Sequence, residues 1–242
     1  MIEVRSLRKS FGGRPVLEGL DLDLPRGECL ALAGPSGCGK STLLHLLAGL
    51  VPPDGGTMRL EGREVPSLRG RCALMAQDDR LLPWMDLLDN ALLPVRMRGE
   101  DPRRREGEAR ELLDRFGLGE FLRYPPGSVS GGMRQRCALV RTLLWGCPLV
   151  LLDEPLSALD AFTRRTLQEE VLRLQGEWGR TLLWVTHDLE EALRVGDRVW
   201  VLGPGMEVRE RLVPPGPKPR PADGELVALR ERAFRALEGS RG

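Results

Sequence analysis

The spacing of apolar residues changes from strand-like to helical and back along the chain. Residues 20–24 alternate between apolar and polar, which is typical of a strand with one exposed face. Residues 28–33 are almost continuously apolar, which predicts a strand buried on both faces. Residues 42–50 are apolar enough for a buried helix, which a turn sequence at residues 52–56 would end. Short strands are predicted from there to Met75.

The second half of the chain combines a helical stretch with further buried strands. Helical spacing extends from about Asp86 to Leu144. Apolar runs at residues 147–152, 181–186 and 199–202 then predict strands, with a helix between the first two. The pattern therefore predicts one α/β core of parallel strands that is interrupted by a mostly helical insert.

The end of the chain has a different composition. Five prolines within residues 214–221 predict a stiff, extended connector. Leu226, Leu229, Ala233 and Leu237 follow at the spacing of one helix face. We expect this helix to pack on its own domain.

The length and composition of the chain exclude several classes of protein. The 242 residues suit one large α/β domain, and 36 basic against 35 acidic residues leave no basic footprint for nucleic acid. Five scattered cysteines without C-x-x-C spacing argue against disulfides and zinc, and for a reducing compartment. No apolar run approaches the roughly 20 residues of a membrane span, and no export signal is visible. These features predict a cytoplasmic protein.

A glycine-rich sequence between the first buried strand and the first helix fits G-x-x-x-x-G-K-[ST], the phosphate-binding P-loop. Its backbone amides would hold phosphates, Lys40 would reach the β and γ groups, and Ser41 would bind Mg²⁺. Only three of the 36 basic residues are lysines, and one is Lys40, where a compact ammonium suits an enclosed phosphate better than a guanidinium. The predicted loop consists of Gly34, Pro35, Ser36, Gly37, Cys38, Gly39, Lys40, Ser41 and Thr42.

Cys38 lies in this loop, at the N-terminus of the predicted helix and beside Lys40. A helix N-terminus and a neighbouring cation lower the pKa of a thiol, which predicts inactivation by maleimide and protection by bound nucleotide. The alternative interpretation is that Cys38 only fills space.

Two further motifs follow predicted strands. Asp153 and Glu154 come directly after the run 149–152, at the strand end where open α/β sheets bind ligands. Asp153 would hold Mg²⁺, and Glu154 would polarise the attacking water. His187 follows the strand at 181–186 and can face the same γ-phosphate, whereas His45 lies in an apolar helix where packing is the simpler role.

A second glycine-rich turn begins at Ser130-Gly131-Gly132 and opens a predicted helix. One nucleotide needs only one phosphate cradle. The second turn therefore predicts that each chain supplies half of two sites and that the protein works as a pair.

With these motifs in this order, the chain resembles the nucleotide-binding subunits of ABC transporters from residue 2 to about residue 212. The resemblance implies an α/β fold, namely a P-loop NTPase (RecA-like) core with a small antiparallel β subdomain. A helical ABC-signature subdomain at about residues 78–144 would be inserted, and residues 213–242 would form the proline-rich connector and C-terminal helix. ATP and Mg²⁺ are the implied cofactors.

The resemblance also implies roles for single residues. Phe11 would stack on adenine, Gln77 would couple Mg²⁺ to the membrane partner, and Asp160 would cross the dimer interface. Ser130, Gly131 and Gly132 would meet the γ-phosphate on the other subunit. The sequence departs from the commonest pattern at Val129 and Met133, which flank these residues, and has Phe11 where tyrosine is usual. Stacking uses the ring face, so it does not need the hydroxyl.

Residues 77–84, 130–136 and the tail resemble importers of nitrate, sulfonate, taurine and thiamine precursors. The expected partners are an identical or similar cassette, integral membrane permease subunits and, indirectly, a solute-binding protein, but no nucleic acid. The chain would then lie on the inner face of the cell membrane. The alternatives are the motor of an exporter and a soluble ABC ATPase. The second glycine-rich turn at residues 130–132, called the signature turn from here on, argues against a P-loop kinase or GTPase.

Overall fold

A computed structural model describes residues 1–221 and 224–238 of the chain. The strands are β1 (Ile2–Phe11), β2 (Arg14–Leu24), β3 (Cys29–Ala33), β4 (Gly55–Leu60), β5 (Arg63–Val65), β6 (Cys72–Met75), β7 (Leu149–Asp153), β8 (Thr181–Thr186), β9 (Arg198–Leu202) and β10 (Val208–Leu212). The α-helices are α1 (Lys40–Leu47), α2 (Leu87–Ala91), α3 (Leu93–Met97), α4 (Glu106–Arg115), α5 (Gly131–Leu144), α6 (Ala161–Trp178), α7 (Leu189–Val195) and α8 (Gly224–Glu238).

The ten strands form two sheets. Six lie in the order β10-β9-β3-β8-β7-β6, parallel from β9 to β6, with β10 antiparallel at one edge. Every residue of β3, β7 and β8 is buried, because both faces of this sheet are covered. The other four strands form an antiparallel sheet in the order β2-β1-β4-β5. The predicted parallel core and half-exposed N-terminal strands are thus both present.

The buried residues of β3 point alternately into two cores. Leu30 and Leu32 pack with α1 and the antiparallel sheet, whereas Ala31 and Ala33 face the core that contains the remaining helices. Larger side chains on the first face and small ones on the second allow a helix to approach the strand closely. The strand that precedes the glycine-rich loop is therefore fixed from both sides.

The predicted helical stretch is present, but it is broken into separate helices. Four α-helices, α2 to α5, lie between β6 and β7, with turns and short 3-10 segments between them. The first helix of the core, α1, begins at Lys40 and ends at Leu47, earlier at both ends than expected. Gly39 has φ 113°, outside the helical region, so α1 starts directly after it.

The proline-rich connector, predicted to be stiff and extended, bends at residues 216–219 and packs against the core. Arg220 is 4% exposed, and its guanidinium donates to the carbonyl oxygens of Leu193 and Gly196 at the end of α7. Lys218 donates to Asp197 Oδ2 at 2.6 Å and to Gln175 Oε1 at 3.0 Å. The prolines limit the shape of the segment, but these buried hydrogen bonds decide where it runs.

The tail helix α8 packs on the core, as expected. Leu226 and Ala233 are buried in the same core as the residues of α7. Arg209 of β10 donates to the carbonyl oxygens of Ala236 and Leu237 near the end of α8, where a cation is favourable.

At the other end of the chain, Lys9 of β1 donates to Asp54 at 2.7 Å and so holds the turn before β4. None of the described helices is long and apolar enough to cross a membrane.

Candidate functional site

The carboxyl ends of the parallel strands bring the predicted site residues to one edge of the sheet. In register, Asp153 at the end of β7 is level with Val185 of β8, and Ala33 at the end of β3 is level with Thr186. The glycine-rich loop, the acidic pair and His187 therefore leave the sheet side by side. Gln77 lies two residues beyond β6 at the same edge and is exposed.

The glycines of the loop are required by its shape. Gly37 and Gly39 have φ 79° and 113°, where side chains are strained. A Cβ on Gly34 would lie 2.7 Å from the carbonyl oxygen of Leu202, and one on Gly39 would lie 2.8 Å from Cγ of Met206. Pro35, Ser36 and Gly37 are exposed, whereas both ends of the loop are buried. The loop is thus fixed at its ends and open to a ligand in the middle.

The ammonium of Lys40 lies inside the loop. It is 5% exposed and donates to the carbonyl oxygens of Gly34 and Pro35, at 2.7 and 2.8 Å. Thr42 follows Ser41 in the first turn of α1, and both are half-buried. One buried cation and the open backbone of the loop together provide a site for an anion.

Cys38 does not have the accessibility that its predicted reactivity requires. The residue is 4% exposed, packs in the core beside α1 and accepts from Lys40 Nζ at 3.7 Å. Reaction with maleimide needs an accessible thiolate. The structure therefore favours the space-filling interpretation. All five cysteines are free and buried.

Asp153 is a buried carboxyl with one hydroxyl partner. It is 3% exposed, and burial raises its pKa, while a hydrogen bond from Ser41 partly opposes this effect. Among the described residues, no group of three or more His, Cys, Asp or Glu could hold a metal by itself. A carboxylate beside a hydroxyl nevertheless fits Mg²⁺, which binds proteins through one or two oxygen ligands and takes the rest from phosphates and water.

Glu154 has a strained backbone and a defined neighbour. Its φ is 48°, an unusual value for a residue with a side chain, and its N–H donates to the Val185 carbonyl oxygen at 2.9 Å. His187 Nδ1 lies 3.2 Å from Glu154 Oε2. The Glu154 side chain is 13% exposed and the His187 side chain 55%, so a mostly enclosed carboxylate is paired with an imidazole that is open to solvent.

Gln135 is a site residue that the sequence analysis missed. Its amide is 5% exposed and donates to the carbonyl oxygen of Glu154 at 3.0 Å and to Ser157 Oγ at 3.2 Å. Its Oε1 accepts from the N–H of Ala158 at 2.9 Å. One side chain of α5 therefore holds the loop that contains Glu154. The only sequence signal was its position five residues after Ser130.

The second glycine-rich turn forms the N-terminus of α5 and is not hydrogen-bonded to the phosphate loop within the described residues. Ser130 is the N-cap, with Oγ accepting from the N–H of Met133 at 3.2 Å, and a Cβ on Gly131 would meet only Arg134 Nη2, at an ordinary contact distance of 3.6 Å. A Cβ on Gly132 would lie 2.7 Å from Cδ2 of Leu159, so a larger residue there would force the Leu159 side chain to shift.

The two remaining predicted residues lie at exposed positions. Asp160 is the N-cap of α6 and accepts from the N–H of Thr163 at 2.9 Å, a bond that lowers its pKa. Phe11, at the end of β1, is 48% exposed, and Lys9 Nζ lies 5.3 Å from its ring centroid. Both side chains remain available to a ligand or a second chain.

Comparison with known proteins identifies the family. The sequence model of the family described as "ABC transporter" matches residues 17–157, more than half of the chain. The chain belongs to the ABC transporter family. This confirms the resemblance drawn from the P-loop, the signature turn and the acidic pair.

Full-length relatives of this ABC transporter chain are named for import. "Aliphatic sulfonates import ATP-binding protein SsuB 2" of Agrobacterium fabrum is 42% identical over 236 residues, which are 98% of this chain and 85% of the relative. The SsuB protein of Cupriavidus necator is 44% identical over 227 residues, which are 92% of this chain and 73% of the relative. The SsuB protein of Pseudomonas putida is 46% identical over 201 residues, with coverages of 83% and 72%.

Solved cassettes of the ABC family have the same fold. A dimeric structure of the ATP-binding cassette MJ0796, in a post-hydrolysis state with ADP and Pi, has a TM-score of 0.81 at 29% identity, and the match covers 89% of this chain and 100% of that one. A second dimeric structure of MJ0796 gives a TM-score of 0.82 at the same identity and coverage. The predicted fold class, a P-loop NTPase core with an antiparallel β part and a helical part, is confirmed.

Proposed function

We propose that this ABC ATPase is the motor subunit of an importer for aliphatic sulfonates or closely related anions, and that it drives transport through separate membrane subunits. The observation that carries the proposal is the single sheet edge at which Lys40, Ser41, Asp153, Glu154 and His187 meet. The names of the sulfonate-import relatives support import over export and over a soluble role. We retain residues 2–212 as the proposed cassette and residues 213–242 as its tail.

In the proposed site, ATP lies on the phosphate loop with its adenine against Phe11. The exposed amides of Ser36 and Gly37 face the phosphates, and Lys40 supplies positive charge from within the loop. Ser41 and Asp153 would hold Mg²⁺, which neutralises charge on the β and γ phosphates when bound. Gln77, exposed at the same edge, would face the ion from the next strand.

Hydrolysis needs a base that is aimed at the attacking water. We assign this role to Glu154, because its backbone is held in a strained conformation and its carboxylate is partly enclosed. His187 would donate through Nδ1 to Glu154 Oε2, which leaves Nε2 directed away from the carboxylate. An imidazolium, with both ring nitrogens protonated, would orient the base through Nδ1–H and donate to the γ-phosphate through Nε2–H.

The second half of each site would come from another cassette. Ser130 and Gly131 are exposed at the N-terminus of α5, which favours anions, and no hydrogen bond within the described residues joins them to their own phosphate loop. Asp160 is exposed at the start of α6, available to cross the interface. The dimeric MJ0796 structures support this arrangement for a related cassette.

An apolar groove supplies the proposed contact with the membrane subunits. It has a volume of about 310 Å³ and lies between α3, α5 and β6. Leu50 and Met97 line the groove and are 58% and 66% exposed. Large apolar side chains that are exposed together typically mark a site of interaction with another protein. A permease segment docked there would keep the cassette on the inner face of the membrane and link it indirectly to a solute-binding protein.

Replacing Glu154 with Gln tests the proposal. The variant should bind Mg-ATP, form a dimer that is stable in light scattering and hydrolyse ATP about 10²-fold more slowly or worse, because the base is removed. Glu111→Gln is the control, since the Glu111 side chain is 70% exposed on α4 and away from the sheet edge. A Glu154 variant that stays monomeric with ATP, or hydrolyses it at the wild-type rate, would refute the assignment.

The solute class needs the membrane partner. We expect the copurified permease complex to show ATP hydrolysis that increases with aliphatic sulfonates more than with nitrate or thiamine precursors. An equal or larger response to the other solutes would contradict the sulfonate assignment and leave the ATPase assignment intact.

A further inference from the structure

The segment that follows Gln77 contains a strained turn. Arg80 has φ 45°, in the left-handed region that side chains rarely adopt. Asp79 Oδ1 accepts from the N–H of Leu81 at 3.1 Å and closes the turn locally. Such a conformation persists only where surrounding contacts hold it.

Two arginines of α5 hold this turn; together with Asp79 we call them the α5 clamp. Arg134 Nε donates to Asp79 Oδ2 at 2.9 Å, across 55 residues of sequence. Arg141 donates through Nη2 to the carbonyl oxygen of Asp79 at 2.5 Å and through Nη1 to that of Arg80 at 2.8 Å. The clamp therefore binds both the side chain and the backbone of the strained turn.

The same helix begins with the signature turn. The N–H of Arg134 donates to the carbonyl oxygen of Ser130 at 3.0 Å, so Arg134, the nearer arginine of the clamp, is one helical turn from the N-cap, about 6 Å along the axis. Buried residues such as Cys137 and Leu139 fix the helix in the core. A packed helix moves as a rigid unit, so the turn at Asp79 cannot move far without moving Ser130.

Added stability is a weak explanation for the clamp. The side chains of Arg134 and Asp79 are 35% and 29% exposed, and ion pairs at this exposure contribute little to folding. Two arginines on one helix that both reach one strained turn constitute a specific mechanical link. Arg141 also lines the apolar groove, so the link joins that groove and the turn at Asp79 to Ser130, which in the proposed function faces the other cassette's nucleotide.

We propose that the α5 clamp couples the segment after Gln77 to the signature turn, with Arg134 and Asp79 as positioning residues. The inference rests on the proposed function, because it assumes that Ser130 meets ATP on a second cassette. Coupling is reciprocal in binding free energy, so if permease docking at the segment after Gln77 changes the affinity of Ser130 for ATP, then ATP at Ser130 changes the affinity for the permease by the same factor.

A spin label on the segment measures this link without the permease. Trp84 is 76% exposed and all native cysteines are buried, so a nitroxide on Trp84→Cys labels one position. In the Glu154→Gln background, adding Mg-ATP should reduce the mobility of the label, while light scattering reports dimer formation. With Asp79→Asn added, we expect the ATP-dependent change in mobility to fall by about threefold to fivefold, with the dimer and the thermal midpoint retained.

The matched control is Glu106→Gln. It removes a carboxylate from the Glu106–Arg110 pair on α4, whose side chains are 36% and 42% exposed, and it should leave the response unchanged. A full response in the Asp79 variant, or no response in a parent that does form a dimer, overturns the clamp alone. A parent that forms no dimer with ATP overturns the proposed function, and the clamp with it.

Discussion

Replacing Gln135 with Met tests how the loop at residues 154–158, which contains the proposed base Glu154, is held in place. The Gln135 amide donates to Glu154 O and Ser157 Oγ, and accepts from the N–H of Ala158. Methionine has a similar length and fills the same space without any strong hydrogen-bonding group. The substitution therefore removes three bonds with little change in packing.

The expected magnitudes follow from those bonds. Each contributes about 0.5–1.5 kcal/mol net, so we expect Gln135→Met to lower the free energy of unfolding by about 2–4 kcal/mol. The Glu154 carbonyl loses one of its partners, and displacing a catalytic group by about 1 Å costs on the order of 10²-fold in rate. We expect kcat to fall by about tenfold to a hundredfold. KM for ATP should change less, because the phosphate loop makes no contact with this amide.

Urea denaturation and steady-state ATP hydrolysis measure the two effects, and Gln175→Met is the matched control. Gln175 is also 5% exposed, donates to Gly27 O at 2.9 Å and accepts from Lys218 Nζ at 3.0 Å. It should lose comparable stability and keep its kcat. If Gln135→Met and Gln175→Met have the same kcat within about twofold, the amide does not position Glu154.

Two further predictions concern the signature turn and the acidic pair. Gly132→Ala should lower the free energy of unfolding by about 1–3 kcal/mol in urea, because its Cβ would meet Leu159 at 2.7 Å. Gly131→Ala, whose Cβ would make only an ordinary contact of 3.6 Å with Arg134 Nη2, should keep the fold but weaken ATP-driven dimerisation in light scattering. Equal stability of the two variants would contradict this packing. Asp153→Asn should abolish hydrolysis. It should nevertheless increase the free energy of unfolding of the nucleotide-free protein by about 1–2 kcal/mol, which would raise its thermal midpoint. Burial raises the pKa of Asp153 above its value in the unfolded chain. The native state therefore loses stability as pH rises from the unfolded pKa to the folded pKa of this carboxyl. The advantage of the Asn variant should therefore grow with pH and vanish in acid, and an advantage independent of pH would refute the argument.

Local patterns predicted much of the fold and the nucleotide edge. The run that forms β3 is apolar because both of its faces are covered, and the loop after it needs glycine at Gly37 and Gly39 for backbone geometry. Both requirements act within a few residues, so they can be read from spacing. The acidic pair after β7 was predictable for the same reason.

Contacts between distant segments were not predictable in this way. Arg134 and Asp79 were each noted in a motif, but nothing local indicates that they meet across 55 residues. The connector looked extended because prolines restrict the backbone, whereas Arg220 finds buried carbonyls that only the finished fold supplies. Cys38 looked reactive because sequence shows its neighbours but not its exposure.

The three lysines of this arginine-rich chain lie in three separate hydrogen-bonded positions. Lys40 is bonded within the phosphate loop, Lys9 to the turn before β4 and Lys218 to the core beneath the connector. Each amine must break a bond before it can react, and arginines do not compete for amine-directed reagents. Covalent labelling of lysine side chains followed by mass spectrometry thus gives one lysine signal each for the glycine-rich loop, the antiparallel sheet and the tail, without an engineered reporter.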